Sequence, residues 1–406
     1  MAESGRVVVV REMAVVFGGM TMRVATVSIV HPSSTIAGKE VAEGLILELG
    51  AAPRCILLFV SSRHDPRSVM DGLGRRLPDD TIVVGCSSFG EINAEEALTG
   101  SVTAMGFTDI DCAAYKVDHV LPDGRAAGRE LAKRAKAFEP NILITFADGI
   151  MGSPAELVRG MQDVLGTKFP IVGGVAAEHL AFERTYEIHG REVLSGGAVA
   201  LALRGKMAIA TAAKSGFQPV GNVRTVTRVE GKNLILELDG VPALRIYKEF
   251  LGQTVRDQQM VGIEFPLLCV PNLDGDYMDS DDRTNVVRVV RKLDEERGGL
   301  LLSSEIAVGS KVRLTCSTKD DLLEAAGIAV NEALEKVPKP DVALIFGCAC
   351  RKLILGSRYQ EEIRRAFRCL DAAIPKVGFY TYGELSPVRD TTVCHDATFT
   401  VVLLGS

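Results

Sequence analysis

An α/β fold of repeated strand–helix–strand–strand units, with largely parallel or mixed sheets and two domains, is what this chain of 406 residues predicts. Three observations carry that prediction. An eight-residue segment is written twice: Gly85-Cys86-Ser87-Ser88-Phe89-Gly90-Glu91-Ile92 returns as Gly378-Phe379-Tyr380-Thr381-Tyr382-Gly383-Glu384-Leu385. A weaker copy, Gly173-Gly174-Val175-Ala176-Ala177-Glu178, follows Pro170-Ile171-Val172. Each copy lies between apolar runs in the same order, with 55–60, 142–146 and 342–346 ahead of it and 102–107, 198–203 and 399–404 behind. These runs are continuously apolar, the pattern of strands buried on both faces, and recurrence at this scale marks a duplicated architecture.

Taken in order, the chain opens on residues 1–22, an extension whose apolar stretches are broken by Arg6, Arg11 and Glu12. It lacks the uninterrupted apolar centre of a signal peptide. Gly18-Gly19-Met20 reads as a linker, and Met22 as an alternative start. From Arg23 a strand over 24–30 leads through His31-Pro32-Ser33-Ser34 into a helix over 38–49. In the first unit Asp65-Pro66 opens a helix as N-cap and first-turn proline. Its Val69, Met70, Leu73 and Leu77 fall on one face. A helix over 124–138 carries Leu131, Ala135 and Phe138 on one side. The middle unit has the capping sequence Ser153-Pro154-Ala155-Glu156, followed by Leu157, Val158, Met161 and Leu165. Residues 207–213 add a strand, and 216–222 read as a turn-rich connector.

The first domain is placed at 23–240 and the second at 241–406. A strand over 233–239 precedes Pro242, which opens a helix through Leu251. The acidic loop at 272–282 resembles a calcium loop only in part. An EF-hand needs a glutamate near its end, where this chain has Asp281 and Asp282. Strands over 285–290 and 311–316 lie on either side of Gly298-Gly299 and Ser303-Ser304. A helix with Leu322, Leu323, Ala326, Val330 and Leu334 then leads into the third unit, whose own helix aligns Ile363, Ala366, Phe367 and Leu370.

Composition excludes several function classes. Hydrophobic residues at 47% against 24% charged describe a globular chain with a core. A net charge of -6, no dense basic patch and no tryptophan speak against nucleic acid as a partner. No apolar run reaches the roughly 18 residues of a membrane helix, so no membrane insertion is expected. Nine cysteines, among them Cys55, Cys269 and Cys316 inside apolar runs, read as reduced thiols in a cytoplasmic protein.

In sheets of this kind ligands bind beyond the carboxyl ends of the strands, where the glycine motifs sit. The candidate ligand-binding residues are therefore Cys86, Ser87, Ser88, Glu91, Gly173, Gly174, Arg283, Cys348, Arg351, Tyr380, Thr381, Tyr382 and Glu384. The plainer reading of any one copy is a tight turn with a satisfied carboxylate. A pocket between the two halves would set Glu91 or Glu384 against a ligand amine. Arg351 first, and Arg283 second, would face a ligand carboxylate, which the guanidinium fork matches. No catalytic residue and no metal ligand is assigned. Cys86-Ser87-Ser88 offers a nucleophile for a hydrolase or transferase, but no G-x-S-x-G elbow accompanies it. A P-loop and a dinucleotide fingerprint are both missing, and Cys348-x-Cys350 lacks the second pair of a zinc site.

The residues now on the page resemble a known family. Leu57-Leu58-Phe59 with the first glycine motif looks like the FIST N-terminal domain. The segment Leu238-Asp239-Gly240-Val241-Pro242-Ala243 with Tyr247 is similar to that family's junction. Phe346-Gly347-Cys348-Ala349-Cys350-Arg351, Leu355-Gly356 and the 378–384 motif resemble the FIST C-terminal domain. The resemblance implies a stand-alone intracellular sensory module for a small, amino-acid-like ligand. It would signal through a separate protein such as a histidine kinase or cyclase. Some relatives are described as haem proteins sensing nitric oxide, which makes haem the alternative cofactor, with His189 and His179 the ligands to test first.

Overall fold

The structure is a computed structural model and describes residues 6–17, 20–94, 96–252, 258–270 and 286–406. The repeat begins one strand and one helix earlier than the sequence motifs show. Unit one runs through strand Met20–Val30, helix Ser34–Leu49, strand Cys55–Ser61, helix Pro66–Gly74, strand Ile82–Ser88 and strand Ser101–Phe107. Unit two repeats this with Asp111–Val117, Gly124–Lys136, Ile142–Ala147, Pro154–Leu165, Ile171–Val175 and Ala198–Arg204. Unit three has strand Ala208–Lys214, helix Lys319–Lys336, strand Val342–Cys348, helices Ala349–Leu355 and Tyr359–Phe367, strand Lys376–Thr381 and strand Phe399–Gly405. The helix starts follow the capping chemistry in the chain. Asp65 and Ser153 each accept a backbone N–H three residues on, and Thr318 with Asp321 closes a reciprocal capping box.

In each unit the last strand inserts between the first two and runs antiparallel to both. Only the two strands joined by the crossover helix pair in parallel. The sheets are therefore mixed. Between its third and last strands each unit throws out a hairpin, and that hairpin does not return to its own sheet. The unit-one hairpin, Glu91–Ile92 with Ala97–Leu98, joins the sheet of unit three. The unit-three hairpin, Glu384–Val388 with Thr391–His395, joins unit two. The unit-two hairpin, Glu187–His189 with Glu192–Leu194, joins unit one. The exchange is cyclic, and its register repeats: Phe379 lies opposite Glu91, Gly174 opposite Glu384, and Cys86 opposite Glu187.

The inner faces of the three sheets meet in one apolar cluster that includes Leu57, Phe59, Ile144, Phe146, Leu344, Phe346 and Phe379. Phe59 stacks on Phe379 at 4.6 Å and meets Phe146 edge-on at 5.5 Å. Fully burying a side chain of this size stabilises by roughly 1.5–3 kcal/mol. The outer faces are covered by the helix pair of each unit. That double burial is why the strands read as unbroken apolar runs.

A fourth, antiparallel sheet is inserted into unit three, between strand Ala208–Lys214 and helix Lys319–Lys336. It holds Gln218–Glu230, Leu234–Leu238, Leu267–Val270, Val286–Arg288, Val290–Asp294, Gly299–Leu302 and Lys311–Cys316. The segment read as a turn-rich connector at 216–222 enters the long strand Gln218–Glu230 instead. Its pairing with Lys311–Cys316 shifts register between Val220 and Arg224, which takes up Gly221 without ending the strand. Residues read as a linker-bound extension form strand Arg6–Phe17, paired antiparallel with Met20–Val30. Among the described residues no helix is long and apolar enough to cross a membrane. All nine cysteines are free.

Candidate functional site

The cyclic exchange places each hairpin glutamate at the carboxyl end of a neighbouring unit's strands. Glu91 is fully buried and accepts from the hydroxyls of Ser88 and Ser101 (the latter at 2.7 Å) and from the Ser101 N–H at 3.0 Å. Glu384 does the same with Thr398, at 2.6 Å from its hydroxyl and 3.1 Å from its N–H. Even the next contact repeats, since Ser101 reaches Thr103 and Thr398 reaches Thr400, both at 3.1 Å. The third equivalent is Glu187, which accepts from the Gly197 N–H at 3.1 Å. Glu178, which the weak middle copy brings into line with the other two, lies elsewhere: it accepts from the N–H groups of Ala181 and Phe182 and from the Tyr382 hydroxyl. A longer connection to the hairpin in unit two hides the true match from the sequence.

Burial holds all three carboxyls toward their neutral form. Glu91 is raised to about 7, chiefly by desolvation, with its serine partners and Lys352 opposing. Glu384 stands well above the usual range through burial and then the nearby Cys348, and Glu187 through burial and then Asp148. Glu384 and Glu187 each keep one oxygen, Oε1, enclosed without a hydrogen-bond partner.

The three seams differ in what fills them. Where the unit-three hairpin meets unit two there is a cavity of about 290 Å³. Its walls are the 149–154 loop of unit two, Cys348 and Cys350 of unit three, Tyr382 and Gly383 of the motif, and Arg291, Ser303 and Ser304 of the inserted sheet. Asp396 forms one polar corner. It is 3% exposed, accepts from the Ser303 hydroxyl and has Arg288 at 3.8 Å. Burial raises its carboxyl while Arg288 and Arg291 pull the other way. Arg291 also lines the cavity, its guanidinium 5.4 Å from the Phe182 ring, which stacks on Tyr382 at 5.2 Å. The Tyr382 hydroxyl donates to Glu178 at 2.7 Å and accepts from the Leu180 N–H at 3.1 Å, which fixes that wall. The lining of this space therefore includes an acid and a guanidinium together with aromatic and thiol side chains.

Of the residues expected at the site, Cys348 and Tyr382 line this cavity, and Glu384 faces Cys348 and Asp396 electrostatically. Thr381 is buried beneath it, donating to the Val175 carbonyl at 2.6 Å, and Gly173 and Gly174 lie in the strand that receives the hairpin. Cys86, Ser87 and Ser88 belong to a different seam: Cys86 is in the central core, Ser87 accepts from the Tyr186 N–H at 3.0 Å, and Ser88 holds Glu91. Arg351 takes a structural place. It is fully buried, pairs with Glu362 at 2.8 Å and donates to the carbonyls of Ser215, Ala397 and Leu322, while Tyr380 hydrogen-bonds the other Glu362 oxygen at 3.2 Å. With its guanidinium turned to these partners, Arg351 is not among the residues lining the cavity, whereas Arg291 is. Arg283 and the acidic loop at 272–282 lie outside the described residues. Asp396, Arg291, Ser303 and Phe182 carry no repeat signal, so nothing in the sequence marks them.

Haem does not fit what lines this cavity. No histidine is among its walls, and a hydrogen bond with Cys350, together with burial, pushes the Cys348 thiol up, away from the thiolate an iron takes. His179 is exposed, its ring edge-on to Phe89 at 5.7 Å. His189 lies in strand Glu187–His189 with Nε2 enclosed and unpartnered. Among the described residues no group of three or more His, Cys, Asp or Glu side chains is placed to hold a metal ion.

Comparison with known proteins agrees with the tandem reading. The FIST N domain matches residues 54–241 and the FIST C domain residues 243–387. An uncharacterised protein of Methanocaldococcus jannaschii is 27% identical over 233 residues, covering 53% of this chain and 44% of that one. An uncharacterised protein of Mycobacterium tuberculosis is 27% identical over 251 residues, covering 59% of this chain and 62% of that one. The aligned region thus spans less than two thirds of either relative. Among solved structures, PurLQS from Thermotoga maritima aligns over 97% of this chain and 73% of its own at 12% identity, with a TM-score of 0.23 that is too low to build on. With both domain models matched in tandem over most of its length, the chain belongs to the FIST family of sensory domains.

Proposed function

We propose that this chain senses an amino-acid-like ligand in the cavity between units two and three. The observation that carries the reading is that an acid, Asp396, and a guanidinium, Arg291, both line one space of about 290 Å³. A zwitterion presents both charges, and each must be matched to be tolerated away from water. Asp396 receives the ammonium group, Arg291 the carboxylate, and the Phe182–Tyr382 stack the side chain. The inserted sheet supplies Arg291 and Ser303, so a bound ligand ties that sheet to the hairpin of unit three and to unit two. Such a tie is a way to pass occupancy to a separate signalling partner, a histidine kinase or cyclase. The nine free thiols go with a cytoplasmic setting for the module.

The test starts with a thermal-shift screen of amino acids and related metabolites on protein purified without added ligand, because binding to the native state alone raises the midpoint. Calorimetry with any hit then follows in Asp396→Asn and Arg291→Ala. Charge-assisted contacts contribute roughly 1.5–3 kcal/mol each, so each substitution should weaken affinity by about tenfold or more. Unchanged affinity in both folded variants would remove the ligand from this cavity. The haem alternative is separated by absorption spectroscopy, since a haem protein shows a Soret band as purified.

A further inference from the structure

At the seam between units one and three, the place that corresponds to the ligand cavity is taken by a side chain of the protein itself. Lys352, from helix Ala349–Leu355, donates from Nζ to Thr99 Oγ1 at 2.9 Å and to the Phe89 carbonyl at 3.4 Å. The rings of Tyr359, Tyr380 and Phe89 stand 5.0, 5.2 and 5.3 Å from the same nitrogen. Oxygen acceptors and aromatic faces favour an ammonium. Burial lowers its pKa to about 8, which still leaves it mostly charged at neutral pH. The backbone relates this seam to the cavity residue by residue. The Tyr380 N–H donates to the Gly90 carbonyl at 2.7 Å, as the Val175 N–H does to the Gly383 carbonyl at 2.9 Å. Tyr380 lies opposite Gly347 and Val175 opposite Ala147 in their parallel pairs. Five residues on from Gly347 and Ala147, Lys352 corresponds to Gly152. Two residues before Ser101 and Thr398, the donors to Glu91 and Glu384, Thr99 corresponds to Asp396. Two before those glutamates, Phe89 corresponds to Tyr382.

All five counterparts, Gly152, Val175, Tyr382, Gly383 and Asp396, line the cavity of about 290 Å³. Two of them are smaller, glycine for Lys352 and valine for Tyr380, so space that side chains fill at one seam is open at the other. A third changes the charge, since the hydroxyl that accepts from Lys352 is replaced by the carboxyl of Asp396. The aromatic ring is kept. At the remaining seam the same place, two before Glu187, is held by Thr185, whose hydroxyl donates to Asp148 at 2.8 Å. Building on the reading of this cavity as the ligand site, we infer that its ligand carries a primary ammonium at the end of an unbranched carbon chain, as an ω-amino acid does. That ammonium sits on the Tyr382 ring and against Asp396, as Lys352 sits on Phe89 and against Thr99. A lysine side chain is the internal analogue, four methylenes ending in an ammonium. The chain that packs on Tyr382 and the charge that Asp396 receives then belong to one end of the molecule, and the distant carboxylate is left for Arg291. An α-amino acid carries its carboxylate on the same carbon as its ammonium. Bound in this way it would bring a second negative charge close to Asp396, where like charges repel.

The experiment is calorimetry on the full chain with two isomers, ω-aminohexanoate and its α-isomer norleucine. The ω isomer is expected to bind about tenfold tighter or more, the effect of one charge-assisted contact. Tyr382→Leu, which removes the ring, should weaken the ω isomer several-fold, and Tyr382→Phe, which keeps it, by less. Norleucine binding as tightly as the ω isomer, or no binding of the ω isomer, would overturn the assignment while leaving the cavity open to α-amino acids. Affinity for the ω isomer unchanged in folded Asp396→Asn would take the ligand out of the cavity, and the broader reading would fail with it. The isomers are compared on the unaltered protein, so that result stands even if a variant does not fold.

Discussion

Arg351 shows how far a residue's place in the sequence can mislead about its work. It follows strand Val342–Cys348 of unit three, at the strand end where the sequence points to a ligand, yet its charge is matched by Glu362 inside the protein. Breaking a buried pair leaves an uncompensated charge, at a cost of about 3–5 kcal/mol. Arg351→Ala should therefore lower the urea midpoint strongly, whether or not a ligand is present, which equilibrium unfolding followed by circular dichroism will read. Glu91 makes a second prediction at this scale. Its carboxyl titrates near 7 in the folded chain against an ordinary 4.5, so the native state keeps a proton that the unfolded chain releases. Its contribution to stability is full below pH 4.5 and is lost as pH rises through 7. Glu187 and Glu384, shifted the same way, add to that decline. The group's share can reach about 1.4 kcal/mol per pH unit. Glu91→Gln should flatten the fall in stability across this window, and an unaltered slope would show that another group sets it.

At the scale of elements, the three equivalent strand glycines have one physical reason. A Cβ on Gly85, Gly173 or Gly378 would stand 1.8, 2.1 or 1.9 Å from a carbonyl oxygen of the parallel neighbour, in turn Leu58, Thr145 and Ile345. The neighbour is backbone and cannot step aside. Overpacking of this kind costs about 1–3 kcal/mol, so Gly378→Ala should destabilise by at least that much. Gly327 is the contrast: it lies within helix Lys319–Lys336 with nothing within 4 Å of an added Cβ. Gly327→Ala should stabilise by about 0.5–1 kcal/mol, as alanine is the better helix former. Paired denaturation curves for the two variants test both signs at once. The glycine repeat was legible in the sequence because this clash is local to one strand pair. Glu187 was not, because its place is set by a hairpin that pairs with unit one and not with its own unit.

For the whole molecule, the exchanged hairpins make each unit incomplete without another. A chain divided between residues 241 and 243 would part the sheet of unit two from the hairpin Glu384–Val388 with Thr391–His395. It would equally part the sheet of unit three from the strand Glu91–Ile92 and from its own strand Ala208–Lys214. Each half alone should be insoluble or unfolded, and co-expression should restore a soluble complex. Halves that fold separately with native circular dichroism would contradict the interlock. By itself the sequence determined the strand–helix–strand–strand part of the unit, its threefold recurrence, the apolar strands, the capped helices and the family, since periodicity and turn chemistry act over short stretches of chain. Tertiary structure alone decided which unit receives each hairpin and that Glu187, not Glu178, is the third glutamate. It also decided that Asp396 and Arg291 line one cavity. Those outcomes depend on strand pairing between residues up to hundreds of positions apart, and burial, which sets the charge state of each carboxyl and amine, exists only once the three sheets have closed on one another.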